Sequence, residues 1–564
     1  MFVARTLEEV LDSQTREGAL YEKLDDDKLR CYACGHRCVI FEGQRGICKV
    51  RYNDAGQLRV PWGYVASLQS DPTEKKPFFH VLPGSDTLTF GMLGCDYHCS
   101  YCFTGDTPVV TDQGVLPIEE IYRQGQQVEQ QSRGDVAVVE GLQAVVGSGE
   151  LRRIVKAFRH EYSGPLVVVD PYYLPPIRCT PDHRIYATTR ADELDVKPVP
   201  AGELTMDHYL VIPRQHHFAS SQEIDAYQLL LPHQRVHQVP HVLSDDEVAG
   251  IMVASKDGVT SREIGRRLGK RADYIRHVRS KVRRGLWLTE RIVEVQDEDG
   301  YVRFPKEHRP GIPRYIPLNE DVAYLLGLYC ADGCVSKAAN RPGSYTLMFS
   351  FNPTEKQQIA YTRRVLRSIF GYRPKVVHRD TTTALDIGRG SVALLFSSLC
   401  GASAQEKRVP VLLFQSPRAI IEAFLDAYVQ GDGHRYDSGK VSITTVSPRL
   451  AYGVAWLALK LGYLPSVYAY QRPETGEIQG RKVQQAPEQF TVVWYQDSDV
   501  PRRYVTTDDY YLIPLRSVST ESYEGEVYNL EVEEEHNYLA SFFLVKNCQN
   551  WLTSQTLRDP EAGL

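Results

Sequence analysis

Cys102-Phe103-Thr104-Gly105-Asp106-Thr107 near one end of the chain, and Lys546-Asn547-Cys548-Gln549-Asn550-Trp551 near the other, decide how this sequence is organised. Removing residues 102–547 and joining the flanks gives Gly94-Cys95-Asp96-Tyr97-His98-Cys99-Ser100-Tyr101-Cys548-Gln549-Asn550-Trp551. Across that seam Cys95, Cys99 and Cys548 stand in a Cys-x3-Cys-x2-Cys spacing. The chain therefore reads as an outer protein whose cysteine motif is interrupted by an inner one. Cys102 completes the same spacing with Cys95 and Cys99 before any removal, so spacing alone does not choose between Cys102 and Cys548.

The 564 residues allow roughly four domains at about 150 residues each. A net charge of −6, with 24% charged and 42% hydrophobic residues, excludes an acidic tail or a basic sheath, so any nucleic-acid surface is local. The N-terminus has no apolar signal core, and no apolar run approaches the ~18 residues of a membrane span, so a cytoplasmic protein with no membrane partner is expected. Eight of the 12 cysteines sit at clustered spacings or at the two junctions, which suits metal ligation and thiolate chemistry in a reducing compartment. Cys179, Cys330, Cys334 and Cys400 are expected to be buried small apolar residues.

The junctions carry the groups needed for two acyl transfers followed by a cyclisation. They resemble the ends of an intein. By that resemblance Cys102 attacks the carbonyl of Tyr101 and Cys548 takes over the resulting thioester. Asn547 then cyclises through its side-chain amide, and the Tyr101–Cys548 linkage rearranges to a peptide bond. The ligated product has 118 residues. The first step is uphill unless a donor and an imidazole stand at the upstream junction. Thr180-Pro181-Asp182-His183, between the β-like runs Leu166–Val169 and Arg184–Ala187, resembles the intein Thr-x-x-His block; His183 would protonate the scissile nitrogen and Thr180 would hold the junction carbonyl. Downstream, Gly525–Val532, His536-Asn537-Tyr538-Leu539 and Phe543–Lys546 alternate as strands. They match the intein C-terminal blocks, with His536 as the proton-transfer residue. The chain departs from that pattern at Lys546, where inteins usually carry histidine, and at Asn529, where many carry aspartate. Both departures imply slower cyclisation or cleaved by-products.

Tyr324-Leu325-Leu326-Gly327-Leu328-Tyr329-Cys330-Ala331-Asp332-Gly333 and Phe424-Leu425-Asp426-Ala427-Tyr428-Val429-Gln430-Gly431-Asp432-Gly433 are degenerate copies of one another. Duplication implies a pseudo-twofold unit. Small residues let two helices approach, and the two Asp-Gly ends form an acidic pocket. Carboxylates at helix C-termini oppose the helix dipole, which suits cation ligands better than structural residues. The duplicated motif resembles the LAGLIDADG homing endonucleases. That implies Mg²⁺ held by Asp332 and Asp432, double-stranded DNA as partner, and phosphodiester hydrolysis. Lys407-Arg408-Val409-Pro410 lies between the copies. Upstream, Ser261–Gly269 and Tyr274–Arg284 describe two short amphipathic helices rich in arginine, similar to a helix-turn-helix, which would contact DNA largely through phosphates.

In the outer protein, Cys95, Cys99 and Cys548 leave one iron of a [4Fe-4S] cluster without a protein ligand. The sequence Gly-Cys-x3-Cys-x2-Cys-Gln-Asn-Trp, with Lys75–Ser85 and the strand Thr87–Gly91, resembles radical S-adenosylmethionine enzymes of the AmmeMemoRadiSam group, related to pyruvate formate-lyase activating enzymes. Gln549-Asn550-Trp551 assigns the third ligand to Cys548. S-adenosyl-L-methionine is the implied cofactor and supplies the radical chemistry. The substrate is not named by the sequence. Cys31, Cys34, Cys38 and Cys48 form a four-thiolate set for Zn²⁺ or a second cluster. The ligated product is shorter than the roughly 200 residues of a βα barrel.

The expected fold class is multidomain: an all-β intein splicing domain with an inserted α+β LAGLIDADG endonuclease, flanked by pieces of an α/β radical enzyme barrel. The expected divisions are 1–101 (outer protein), 102–215 (splicing, first part), 216–310 (basic insert), 311–500 (endonuclease), 501–547 (splicing, second part) and 548–564 (outer protein). Two other readings remain: a DNA endonuclease whose splicing has failed, and an uninterrupted iron-sulfur enzyme with an inserted domain that uses Cys102 as ligand.

Overall fold

The computed structural model describes residues 10–547, except 11, 25–27, 34–36, 47, 49, 64, 66, 74–81, 92–101, 132–133, 191–193, 215–221, 239–242, 288–289, 306, 338–343, 380, 474, 479–480 and 497–501. Two compact units divide at residue 100.

In the first unit, the described residues form small antiparallel sheets. Thr15–Glu17, Gln57–Pro61 and Tyr52–Asp54 make one, Tyr21–Lys23, Leu29–Cys31 and Val39–Ile40 a second, and Ser67–Pro72 pairs with Asp86–Gly91. Leu29, Ile40 and Leu58 are its buried centre. The expected strand Thr87–Gly91 is present, but it exposes Leu88 and Phe90. Every strand pair among the described residues of this unit is antiparallel, so the parallel pairing of a βα barrel is not found there.

The second unit is built on two long strands distant in sequence. We label its key strands β1 (Phe103–Thr104), β2 (Leu151–Pro171), β3 (Ile177–Cys179), β4 (Arg184–Thr188), β5 (Tyr510–Val532), β6 (Asn537–Ala540) and β7 (Phe543–Lys546).

 Strands β2 and β5 lie 378 residues of sequence apart at Ile154 and Val532, falling to 344 at Pro171 and Leu515. Strands β2 and β5 pair antiparallel between those two points, with irregularities near Ile154 and Pro171. Along β2, Ile154, Lys156 and Phe158 are buried at alternate positions in the first part, and Val167 and Val169 in the second. Strand β1 joins the edge of this pair, with Phe103 opposite both Cys179 and Tyr528, and Thr104 opposite Val527. Strands β6 and β7 form a hairpin, and Val545 of β7 pairs with Ile185 of β4.

The insert consists of two halves with one topology. The first has the helix α1 (Glu320–Asp332) and a sheet ordered Gly333–Lys337, Tyr345–Phe351, Thr383–Ile387, Lys375–His378. The second has α2 (Arg418–Asp432) and a sheet ordered Gly433–Arg435, Lys440–Thr445, Glu488–Tyr495, Ser466–Gln471. In each half the helix runs straight into the first strand through an Asp-Gly pair. The two helices pack backbone to backbone: a Cβ on Gly327 would lie 2.2 Å from the Phe424 carbonyl oxygen, and one on Gly431 would lie 2.6 Å from Ala331 Cβ. That is the physical reason for small residues in the duplicated motif.

The basic segment holds three helices, Asp245–Lys256, Ser261–Arg267 and Ala272–Arg283, around Leu243, Ile251, Ile264, Ile275 and Val278. The sequence pattern indicated the last two; the first starts at a Ser244–Glu247 capping box. Arg262, Arg276, Lys281 and Arg283 are exposed. Cys179, Cys330 and Cys400 are buried as expected, whereas Cys334 is half-buried because it lies on the first strand after α1.

Candidate functional sites

Strand β1 carries the upstream junction into the sheet. The Cys102 N–H donates to Thr180 Oγ1 at 3.1 Å, and the Thr180 N–H returns a bond to the Cys102 carbonyl at 2.9 Å. Thr180 and His183 are fully buried and joined by a turn in which the His183 N–H donates to the Thr180 carbonyl at 3.0 Å. The His183 ring lies 4.0 Å from that of Phe103. Thr180 thus holds the nitrogen side of the upstream junction; the Tyr101 carbonyl, which it was expected to hold, lies outside the described residues.

At the downstream end Asn547 is almost fully buried. Its backbone N–H donates to the His536 carbonyl at 3.1 Å, and its Nδ2 donates to the Val532 carbonyl at 2.8 Å. His536 takes a left-handed backbone, φ 53°, in the turn before β6. Beside it the buried Glu531 is raised by burial, an effect opposed by Lys156, 3.9 Å away, and by His536. Asn529 is buried, and its Oδ1 accepts from the Leu530 N–H at 2.7 Å and from the Tyr538 hydroxyl at 3.1 Å.

The two ends meet. Ile185 pairs antiparallel with Val545, so the strand that follows His183 lies beside the strand that leads to Asn547. Phe103 also meets Tyr538 edge-on at 6.5 Å. Cys102, Thr180, His183, His536 and Asn547 therefore occupy one end of the sheet, although they come from distant parts of the sequence. Two residues that no motif marked also lie here: Glu531, and His160, whose Nδ1 is 3.7 Å from Cys102 Sγ.

Asp332 and Asp432 end α1 and α2 side by side. Packed protein behind them raises both carboxyls to about 6; Glu355 adds to this at Asp332, and Asp332 adds to it at Asp432. Two carboxylates pushed toward protonation by burial and mutual repulsion fit a divalent cation, which takes oxygen ligands and keeps several waters. Lys407 is buried beneath them, donates to the Gly333 carbonyl at 2.8 Å and draws both carboxyls back down. The sequence showed this lysine between the two copies, but not its place below their ends.

Cys31 and Cys48 are buried and Cys38 is half-buried. The Cys31 thiol is raised by burial and, to a lesser degree, by Cys48 and Cys38. Among the described residues no three His, Cys, Asp or Glu side chains close into a metal-binding group. Cys34, Cys95, Cys99 and Cys548 lie outside the described residues.

A protein family described as the intein splicing domain matches residues 109–547. The chain belongs to that family. The intein is 23% identical to the ATP-dependent DNA helicase Hel308 of Thermococcus kodakarensis over 478 residues, 78% of this chain and 36% of the helicase. The uncharacterized protein MJ0808 of Methanocaldococcus jannaschii is 47% identical over 88 residues, 15% of this chain and 26% of that protein. The chain thus spans about a third and a quarter of the lengths of these relatives. A structure of mesophilic variants of the homing endonuclease I-DmoI covers 32% of this chain and 90% of its own, at 13% identity and a TM-score of 0.24. No helix among the described residues is long and apolar enough to cross a membrane.

Proposed function

We propose that residues 102–547 excise themselves and join Tyr101 to Cys548. The observation that carries this reading is that the strand after His183 pairs with the strand leading to Asn547, while Cys102 is bonded to Thr180 of the same turn as His183. The Cys102 thiol attacks the Tyr101 carbonyl carbon, and the departing Cys102 nitrogen takes a proton from His183. The thiol of Cys548 then accepts the acyl group. Asn547 Nδ2 attacks its own carbonyl carbon, closing a succinimide and freeing the Cys548 amine, with His536 serving proton transfer. The test is thiol-induced cleavage between Tyr101 and Cys102 in the full chain carrying Asn547→Ala. Cleavage there, lost in Cys102→Ala, supports the reading; its absence in both overturns it.

The inserted halves are proposed to cleave double-stranded DNA, with the basic helices Ser261–Arg267 and Ala272–Arg283 adding phosphate contacts. Asp332 and Asp432 would hold Mg²⁺, which supplies Lewis-acid stabilisation of the phosphodiester when bound. Lys407 keeps both carboxylates available at neutral pH. The joined outer segments are proposed to belong to a radical enzyme in the cytoplasm, with Cys95, Cys99 and Cys548 ligating [4Fe-4S] and S-adenosyl-L-methionine as cofactor, and with Cys31, Cys34, Cys38 and Cys48 binding Zn²⁺ or a second cluster. Iron content of the ligated product, lost in Cys548→Ala, tests the assignment of the third ligand.

A further inference from the structure

The reaction above needs the Cys102 thiol to lose its proton.

 The imidazole of His160 stands at its sulfur.

Register explains why an imidazole is there. Val527 of β5 pairs with His160 of β2 and with Thr104 of β1, so these three side chains share one face of the sheet. Cys102 lies two residues before Thr104, which by strand alternation returns it to that face. His160 Nδ1 then lies 3.7 Å from Cys102 Sγ. The His183 ring lies tilted against Phe103, the residue between, so the two imidazoles flank the junction from opposite faces of β1.

We propose that His160 is the base that takes the proton from Cys102 Sγ, leaving His183 to deliver one to the Cys102 nitrogen. This rests on the splicing reading. The sulfur–carbon bond to Tyr101 forms as the carbon–nitrogen bond breaks, His160 gains the thiol proton and His183 gives up its own, so the net change is a shift of the acyl group from nitrogen to sulfur. The chemistry requires the Nε2–H tautomer of His160, with Nδ1 free to accept.

Burial lowers the His160 imidazole from its ordinary value, which keeps it neutral at pH 7. Its strand neighbours Arg159 and Glu161 alternate to the other face, where Arg159 pairs with Asp135 and Glu526. From β1 it faces Cys102, from β5 Val527, and from its own strand the flanking same-face residues Phe158 and Tyr162. No charged group among these competes for its proton.

The test is the rate of thiol-induced cleavage at Tyr101–Cys102 in full chains carrying Asn547→Ala, with and without His160→Gln or His160→Ala, from pH 6 to pH 9.5. At pH 7 both His160 variants are expected to cleave about 100-fold more slowly, within the usual range for general-base catalysis. The deficit should narrow to less than about tenfold near pH 9.5, where a thiol ionises unaided, and added imidazole should restore part of the rate to His160→Ala. An unchanged rate at pH 7 would overturn the assignment. So would an equal fall at every pH that imidazole does not rescue, the pattern of a structural role. A chain with intact His160 that never cleaves would refute the splicing reading instead.

Discussion

The side-chain amide nitrogen of Asn547 donates to the carbonyl oxygen of Val532 at 2.8 Å. That nitrogen is the atom that would attack the Asn547 carbonyl, so the sheet fixes the nucleophile of the last step through the end of β5. What the site lacks is an imidazole at position 546, where Lys546 stands. Lys546→His is expected to raise the rate of cleavage between Asn547 and Cys548 about 100-fold, the low end of what a positioned acid or base contributes. Time courses of the released C-terminal segment by mass spectrometry measure it.

Thr180 acts at the other junction. Thr180→Val keeps the volume but leaves the buried Cys102 N–H without its 3.1 Å acceptor. The loss of a buried partner costs about 1–3 kcal/mol. Thiol-induced cleavage at Tyr101–Cys102 should therefore slow by about 10- to 100-fold. Cleavage at Asn547–Cys548, assayed in the same chains, should change much less.

Much of this was legible in the sequence, because splicing chemistry demands particular atoms at the chain positions where bonds break. Cys102 and Asn547 carry that demand in their identity, and Asp332 and Asp432 reveal themselves by duplication and by the glycines that close packing requires. His160 was not legible. It lies 58 residues from Cys102 within a 21-residue strand, and the pairing of Val527 with both His160 and Thr104 brings it beside the junction. Lys407 was visible as a basic residue between the copies, but its burial depends on how α1 and α2 end.

Phe542 ties the inserted halves to the splicing sheet. Ser541 and Phe542 form the turn between β6 and β7 with positive φ, 48° and 71°, which costs a non-glycine residue roughly 1–2 kcal/mol each. The Phe542 ring stacks on Trp456 and tilts against Tyr452, both on the helix Pro448–Lys460 of the second half. That burial offsets the strain. Phe542→Ala should destabilise the chain by about 3–5 kcal/mol in urea unfolding. It should also slow release of the C-terminal segment, because the β6–β7 hairpin positions Asn547.

The aspartate pair predicts a pH signature. In the folded chain Asp332 and Asp432 hold protons up to about pH 6, above the ordinary carboxylate value of about 4. Between those values the folded state binds more protons than the unfolded state, so without cation its stability falls as pH rises through that window. Asp332→Asn removes one such group and its repulsion on Asp432, and the slope should shrink. Mg²⁺ should raise the Tm of the unsubstituted chain above pH 6 and leave Asp332→Asn nearly unmoved. The same variant should lose cleavage of a duplex encoding the joined Gly94–Trp551 seam while still splicing.

The central claim is tested most directly by intact mass analysis of the chain expressed in a reducing cytoplasm, beside the same chain carrying Asn547→Ala. The account predicts a 118-residue ligated product containing the Tyr101–Cys548 bond, together with a released piece of 446 residues, both absent in the variant. A single unspliced mass of 564 residues in both, under all conditions, would contradict it.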